Sequence, residues 1–255
     1  MNNKRANKEY SNFPDQSTEI SNYPLAILNL GNINLSETEL LMKHFVKLRT
    51  EDKIPDLLLI LSHYPVLSLG ARKLDKNDLL KPLAYFEQNG IELYKSNRGG
   101  GLTYHWQNQL VVYPILKLRK EEQHISKYMY NLEEVGLRSL YDLGIKAERK
   151  RDNTAQIGLW HKEKKIASMG ISISKWVTSY GFAVNLGGGF NFSNHIRPCG
   201  LDVKLTTVAE INGFNPDRNQ VVKRMVKHFE NIFNRKSNKS LLNASISDRQ
   251  GREKF

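Results

Sequence analysis

Two residues in this 255-residue chain have the types and spacing for covalent chemistry. Cys199 is the only cysteine, held between Pro198 and Gly200. Lys165 lies 34 positions earlier and opens an apolar run that extends to Ile173. Two strand-like runs and the glycine turn Gly187 to Gly189 separate them. A strand, a turn and a returning strand can bring such residues back to one place. An ammonium beside a lone thiol favours the thiolate. A thiol of ordinary pKa is only about 3% thiolate at pH 7, and a drop of about two units makes it roughly three-quarters thiolate. The lower nucleophilicity of a less basic thiolate offsets part of that gain. The chemistry that follows is acyl transfer through a cysteine thioester. Each residue also has a plainer reading. A lone cysteine often serves as a small buried hydrophobe, and a strand-end lysine as a solvated charge.

The glycine loop Arg98-Gly99-Gly100-Gly101 is a second chemical feature. Three glycines let the backbone approach a ligand closely and offer it N–H groups. The loop lacks the Gly-Lys-Ser/Thr of a phosphate-binding loop. A strand follows it where a dinucleotide fingerprint needs a helix. His105 comes just after, either orienting a group in a site or simply satisfied in a loop. His63, before Tyr64-Pro65, reads as structural. Asn191, Asn194 and His195 read as an ordinary polar loop. No His, Cys, Asp and Glu spacing suggests a metal site.

The elements that must position these groups can be read in outline. Leu25 to Leu30 reads as a strand. Ser36 and Glu39 read as a capping box opening a helix with Leu41, Phe45 and Leu48 on one face. Leu57 to Leu61 is apolar throughout and reads as a buried strand. Ile91 to Tyr94 and Gln109 to Leu116 read as further strands, with Pro114 placing the latter at an edge or a bulge. Ile125, Tyr128, Met129, Leu132, Val135 and Leu140 fall at helical spacing, with Gly144 near the expected C-cap. Ile157 to Trp160, the charged turn Lys162 to Lys164 and Lys165 to Ile173 form a hairpin. Val177 to Leu186 is the next strand, and Asn215-Pro216 caps a last helix bearing Val222, Met225, Phe229 and Phe233. Short turns join most strands. The expected fold class is α+β: a single domain with a largely antiparallel mixed sheet flanked by helices. It spans residues 24–234. Residues 1–23 read as a disordered N-terminal tail and 235–255 as a basic C-terminal tail.

The net charge of +12 calls for partners of opposite sign, and an acidic protein fits. No basic stripe interleaved with aromatics points to nucleic acid. No apolar run approaches the roughly 20 residues that cross a bilayer. One cysteine allows no internal disulfide, so a cytoplasmic location is expected.

With its continuation Leu102-Thr103-Tyr104-His105, the glycine loop reads RGGGLTYH, and the strand QLVVYPIL follows. This resembles the lipoyl(octanoyl) transferase family of the biotin/lipoate protein ligase superfamily. The likeness continues in order through His63 to Val66, Lys164 to Gly170, Gly181 to Asn185 and Ile196 to Gly200. It implies a biotin/lipoate protein ligase catalytic-domain fold and octanoyl transfer in lipoate assembly and protein lipoylation. Cys199 would carry the acyl thioester and Lys165 would lower its pKa. Arg98, Gly99, Gly100, Gly101, Leu102, Thr103, Tyr104 and His105 would line the acyl pocket. Ser168, Met169 and Gly170, with Gly181, Phe182 and Ala183, would complete it. The implied donor is octanoyl-acyl carrier protein. The implied acceptors are lipoyl domains of 2-oxoacid dehydrogenases or the glycine cleavage H protein. No cofactor, metal, nucleic acid or membrane is implied, and a monomer is expected. Two features depart from the family. Trp106-Gln107-Asn108 replaces its Gly-Pro-Gly turn, and Tyr180 stands where it usually has histidine. Both bear on acyl length and donor identity. An ATP-dependent lipoate or biotin ligase and a non-catalytic binding module are the alternative functions.

Overall fold

The apolar run at Leu57 is explained by a strand that is covered on both faces. In the computed structural model, which describes residues 23–150, 157–189, 191–197 and 203–237, every residue of β2 (Asp56–His63) is buried. Leu58 and Ile60 enter one apolar cluster, while Leu57, Leu59 and Leu61 enter another. Side chains alternate across a strand, so a strand sandwiched between two cores has no polar face to show.

The described residues begin with β1 (Tyr23–Ile33), cross through α1 (Leu35–Thr50) and return as β2, parallel to β1. A smaller unit follows: β3 (Val66–Leu69), α2 (Leu83–Gln88), β4 (Glu92–Lys95) and β5 (Leu102–His105). Next come β6 (Gln109–Ile115), α3 (Ile125–Tyr141) and the strands β7 (Glu148–Arg149), β8 (Gly158–His161), β9 (Lys164–Ser174) and β10 (Val177–Asn185). Helices α4 (Val208–Asn212) and α5 (Arg218–Phe233) lead into β11 (Arg235–Ser237). The main sheet runs β11-β1-β2-β6-β10-β9-β8-β7, and the smaller one β4-β3-β5. Five of the seven pairings in the main sheet are antiparallel. The fold is a single α+β domain with a mixed sheet flanked by helices.

One face of the main sheet packs on α3 and α5 through Tyr128, Leu132, Val135, Val221, Met225 and Phe229. The opposite face packs on α1 through Met42. The smaller sheet has its own core around Leu67, Phe86, Leu102, Tyr104 and Trp106. No helix among the described residues is long and apolar enough to cross a membrane.

Four details differ from the sequence reading. The first helix is preceded by Asn34 and makes no side-chain cap; Glu39 instead accepts a hydrogen bond from Ser96 Oγ, 57 residues away. Pro114 is not at an edge, because β6 lies between β2 and β10. The β6–β10 ladder stops at Val112–Phe182, and Thr178 Oγ1 bridges Pro114 O and Leu116 N at 2.8 and 2.9 Å. A proline has no N–H for the ladder, so a side chain spans the gap. The last helix is capped by Asp217, whose carboxylate accepts from Asn219 N and Gln220 N. Arg235 to Ser237, read as the start of the tail, pair with Tyr23 to Leu25. Arg235 is buried and ion-paired with Asp56 at 2.7 Å and Glu122 at 2.9 Å, which extends the folded domain to Ser237.

Candidate active site

The antiparallel pairing of β9 and β10 aligns two of the sequence segments that could form a site. Gly181 faces Gly170, Phe182 faces Met169, and Ala183 faces Ser168. The glycine loop is attached to the same strand, since Gly99 N donates to Ile171 O at 2.8 Å. A Cβ on Gly170 would come within 3.0 Å of Gly99 O, and one on Gly181 within 2.3 Å of Val112 O. Both approaches need glycine. They frame a small pocket of about 20 Å³ lined by Arg98, Thr103, His105, Tyr113, Ser168, Met169, Gly170, Gly181, Phe182 and Ala183.

Nine of those ten residues are among the fourteen expected from the sequence. Gly99, Gly100, Gly101, Leu102 and Tyr104 do not line this pocket. Leu102 and Tyr104 point into the core of the smaller sheet, because alternate residues of β5 face opposite ways. The three glycines build the loop instead. Gly70 N donates to Gly101 O, and Arg72 N to Gly100 O. Arg98 is held by Ser68, with Nε to Ser68 Oγ at 3.1 Å and Nη2 to Ser68 O at 2.7 Å. Trp106 is also away from the pocket. It stacks on Tyr104, with ring centroids 5.6 Å apart, and donates from Nε1 to Gly187 O at 3.2 Å.

A buried polar chain runs beside the pocket. His63 donates from Nδ1 to Ile33 O and accepts at Nε2 from Tyr113 OH, each at 3.1 Å. Its ring lies edge-on to His105 at 5.3 Å. His105 Nδ1 donates to Gln109 Oε1 at 2.9 Å, and Gln109 Nε2 donates to Asn185 Oδ1 at 3.0 Å. Asn185 Nδ2 reaches Thr206 O at 3.0 Å and Lys165 O at 3.4 Å. Burial lowers the His63 pKa to about 4. The His105 pKa falls well below the usual value, chiefly through burial, then through His63 and Arg98. Both imidazoles are neutral at pH 7, and burial raises the Tyr113 phenol. Tyr113, Gln109 and Asn185 were not singled out from the sequence. Their signal was available: polar side chains in otherwise apolar strands, with Gln109 directly opposite Asn185.

Lys165 is 7% exposed and pairs across the β8–β9 ladder with Trp160. Its side chain runs back over Gly158, with Cε only 2.5 Å from where a Cβ on that glycine would stand. Gly158 faces Ser168 of the pocket across the same ladder. Lys165 N donates to Lys204 O at 2.9 Å, and Thr206 N donates to Lys165 O at 3.0 Å. On the other side Arg197 N donates to Asp78 O at 2.7 Å, and Asp78 binds Arg72 at 2.6 Å. In the sequence Cys199 falls between Arg197 and Lys204, outside the described residues.

The description lipoyl protein ligase A/B catalytic domain matches residues 34–230. The chain is 33% identical to an octanoyltransferase of Desulforamulus reducens, over 82% of this chain and 91% of that protein. It is 36% identical to an octanoyltransferase of Solibacter usitatus, over 80% and 90%. Among solved structures, a lipoate-protein ligase A bound with ATP superposes with a TM-score of 0.68 at 15% identity, covering 86% of this chain and 88% of that one. A bi-partite lipoate protein ligase from Thermoplasma acidophilum gives 0.66 at 16% identity, over 84% and 85%. These two likenesses speak to the fold. The matched span and the identity to the octanoyltransferases place this chain in the lipoyl protein ligase A/B catalytic-domain family.

Proposed function

We propose that the chain is an acyltransferase that moves an octanoyl group from an acyl carrier protein to a lysine of a lipoyl domain, with Cys199 as the carrier of the acyl group. The Cys199 thiolate attacks the carrier thioester. The carrier thiolate leaves and takes up a proton, and Cys199 holds the acyl chain as a thioester. The acceptor amine then attacks, an amide forms, and the Cys199 thiolate departs. Lys165 stabilises that thiolate and relays the proton released by the amine. Thioester exchange is nearly isoenergetic and amide formation is downhill, so no ATP is consumed. The acceptor is the lipoyl domain of a 2-oxoacid dehydrogenase or the glycine cleavage H protein, and the surplus of basic charge suits acidic partners.

The observation that carries this reading is the attachment of Lys165. A buried lysine on the strand that carries Ser168, Met169 and Gly170 of the pocket is hydrogen-bonded through its own backbone to the segment just beyond the cysteine. The reading is tested by mixing the full-length protein with octanoyl-acyl carrier protein, without acceptor and without ATP, and weighing the intact protein. A single octanoyl adduct is expected, and none with Cys199→Ala. An adduct that survives the substitution, or one that forms only with ATP, overturns the thioester reading. The second result would favour a ligase.

A further inference from the structure

The proposed mechanism needs Lys165 to remain an ammonium while almost fully buried, and the hairpin that carries it has features suited to that. Resting on that reading, we propose that Gly158 and Trp160 of β8 are positioning residues that seat the Lys165 ammonium. Gly158 leaves room for the side chain, and the Trp160 ring holds its charge.

Gly158 has φ +143°, in the region that favours glycine. A Cβ there would stand 2.5 Å from Lys165 Cε, 3.3 Å from Nζ and 2.4 Å from Ala167 O. Any larger residue would displace the lysine and strain the ladder together. Trp160 is buried, faces Lys165 across that ladder and presents its ring 5.5 Å from Nζ. The negative face of an aromatic ring attracts a cation, and more strongly where water is excluded. Lys150 Nζ lies 4.8 Å from the same ring and is paired with Glu163 at 2.7 Å. Lys204 lies on the segment hydrogen-bonded to Lys165, and Lys164 is exposed next to it. These neighbouring cations disfavour a buried ammonium at Lys165, which makes a π-face there matter more. A ring that keeps Lys165 protonated also keeps Cys199 ionised, since loss of the ammonium leaves a neutral amine and a neutral thiol.

The sole cysteine makes the test clean, because alkylation of the full-length protein by iodoacetamide reads one thiol. The alkylation rate is followed from pH 5.5 to 9.5 for the wild type, Lys165→Met, Trp160→Phe, Trp160→Leu and Trp160→Leu combined with Lys165→Met. Lys165→Met is expected to return the thiol to an ordinary titration and slow alkylation at pH 7 about tenfold. Trp160→Leu should slow it about threefold and Trp160→Phe less. Trp160→Leu should change nothing further once Lys165 is methionine. A ring that merely packs would lower the melting temperature without moving the thiol titration. If Lys165→Met leaves that titration unchanged, the reading of Lys165 itself fails. If Lys165→Met shifts it and Trp160→Leu does not, or if the two effects add, the seat is refuted. Should Trp160→Leu fail to fold, fluorinated tryptophans placed at position 160 keep the shape and weaken the π-face. A stepwise slowing with fluorination is then expected, and a flat response overturns the proposal.

Discussion

The face of the main sheet that carries α3 and α5 is almost wholly apolar, whereas the face toward α1 carries a line of buried polar groups. On the first, Leu58, Ile60, Val112, Phe182 and Val184 meet Leu132, Met225 and Phe229. On the second, His63, Tyr113, Gln109 and Asn185 are just as buried, and hydrogen bonds link His63 to Tyr113 and Gln109 to Asn185. A buried polar group that keeps its partner adds little net stability, and one that loses it costs about 1–3 kcal/mol. The two faces of β6 and β10 therefore do different work. One supplies cohesion, and the other holds shape and charge around the pocket.

Substitutions on the two faces should separate these roles. The largest effect is expected on the apolar face. Phe229 is fully buried and stacked on Phe233 at 4.5 Å. Phe229→Ala should cost about 3–5 kcal/mol in urea unfolding. Where the variant is still folded, its alkylation rate at Cys199 should match the wild type. A change in thiol titration without loss of stability would erase the distinction between the faces.

The polar face should be the one that responds to mild acid. His63 titrates at about 4 in the fold, against about 6.5 in an unfolded chain. Its folded pKa is depressed, so the unfolded chain binds more protons between those values. Stability is full above about pH 6.5 and falls as the pH drops toward 4. From pH 7 to pH 5 the loss attributable to His63 is about 2 kcal/mol. His63→Gln should flatten that slope in urea midpoints measured at pH 7, 6 and 5. Phe229→Ala should leave the slope intact while lowering every midpoint. An equally steep slope in His63→Gln would move the acid response elsewhere.

What the sequence disclosed divides along the same line. The apolar face was legible because its signals are local. The unbroken run of β2 and the four-residue spacing of Met225, Phe229 and Phe233 declare burial directly. The glycine loop and the lysine strand were legible as motifs. The contacts that shape the pocket were not. Glu39 reads as a cap partner until Ser96 arrives from 57 residues away. Gly158 looks like any strand glycine until the Lys165 side chain lies across it. The alternation of β5 could have removed Leu102 and Tyr104 from the pocket lining, but a shared motif does not record which way its residues point.

The smallest effect is expected where the two faces meet the glycine loop, at Tyr180. This residue has φ +56°, uncommon for a bulky side chain. It stands where the β6–β10 ladder is interrupted by Pro114. Its hydroxyl accepts a hydrogen bond from Asn97 N at 3.1 Å, and its ring lies edge-on to Tyr113 at 5.8 Å. Tyr180→Phe keeps the ring contact and removes the one acceptor that holds Asn97, next to Arg98. The expected cost in global stability is about 1 kcal/mol. Protection of the Asn97 amide against hydrogen exchange should fall by about tenfold, because its partner is lost while the neighbouring Gly99–Ile171 bond remains. Amides of β2 should be unaffected beyond the global change. If Asn97 exchanges as slowly in the variant as in the wild type, the loop is held by its glycine contacts alone, and the polar face ends at Tyr113.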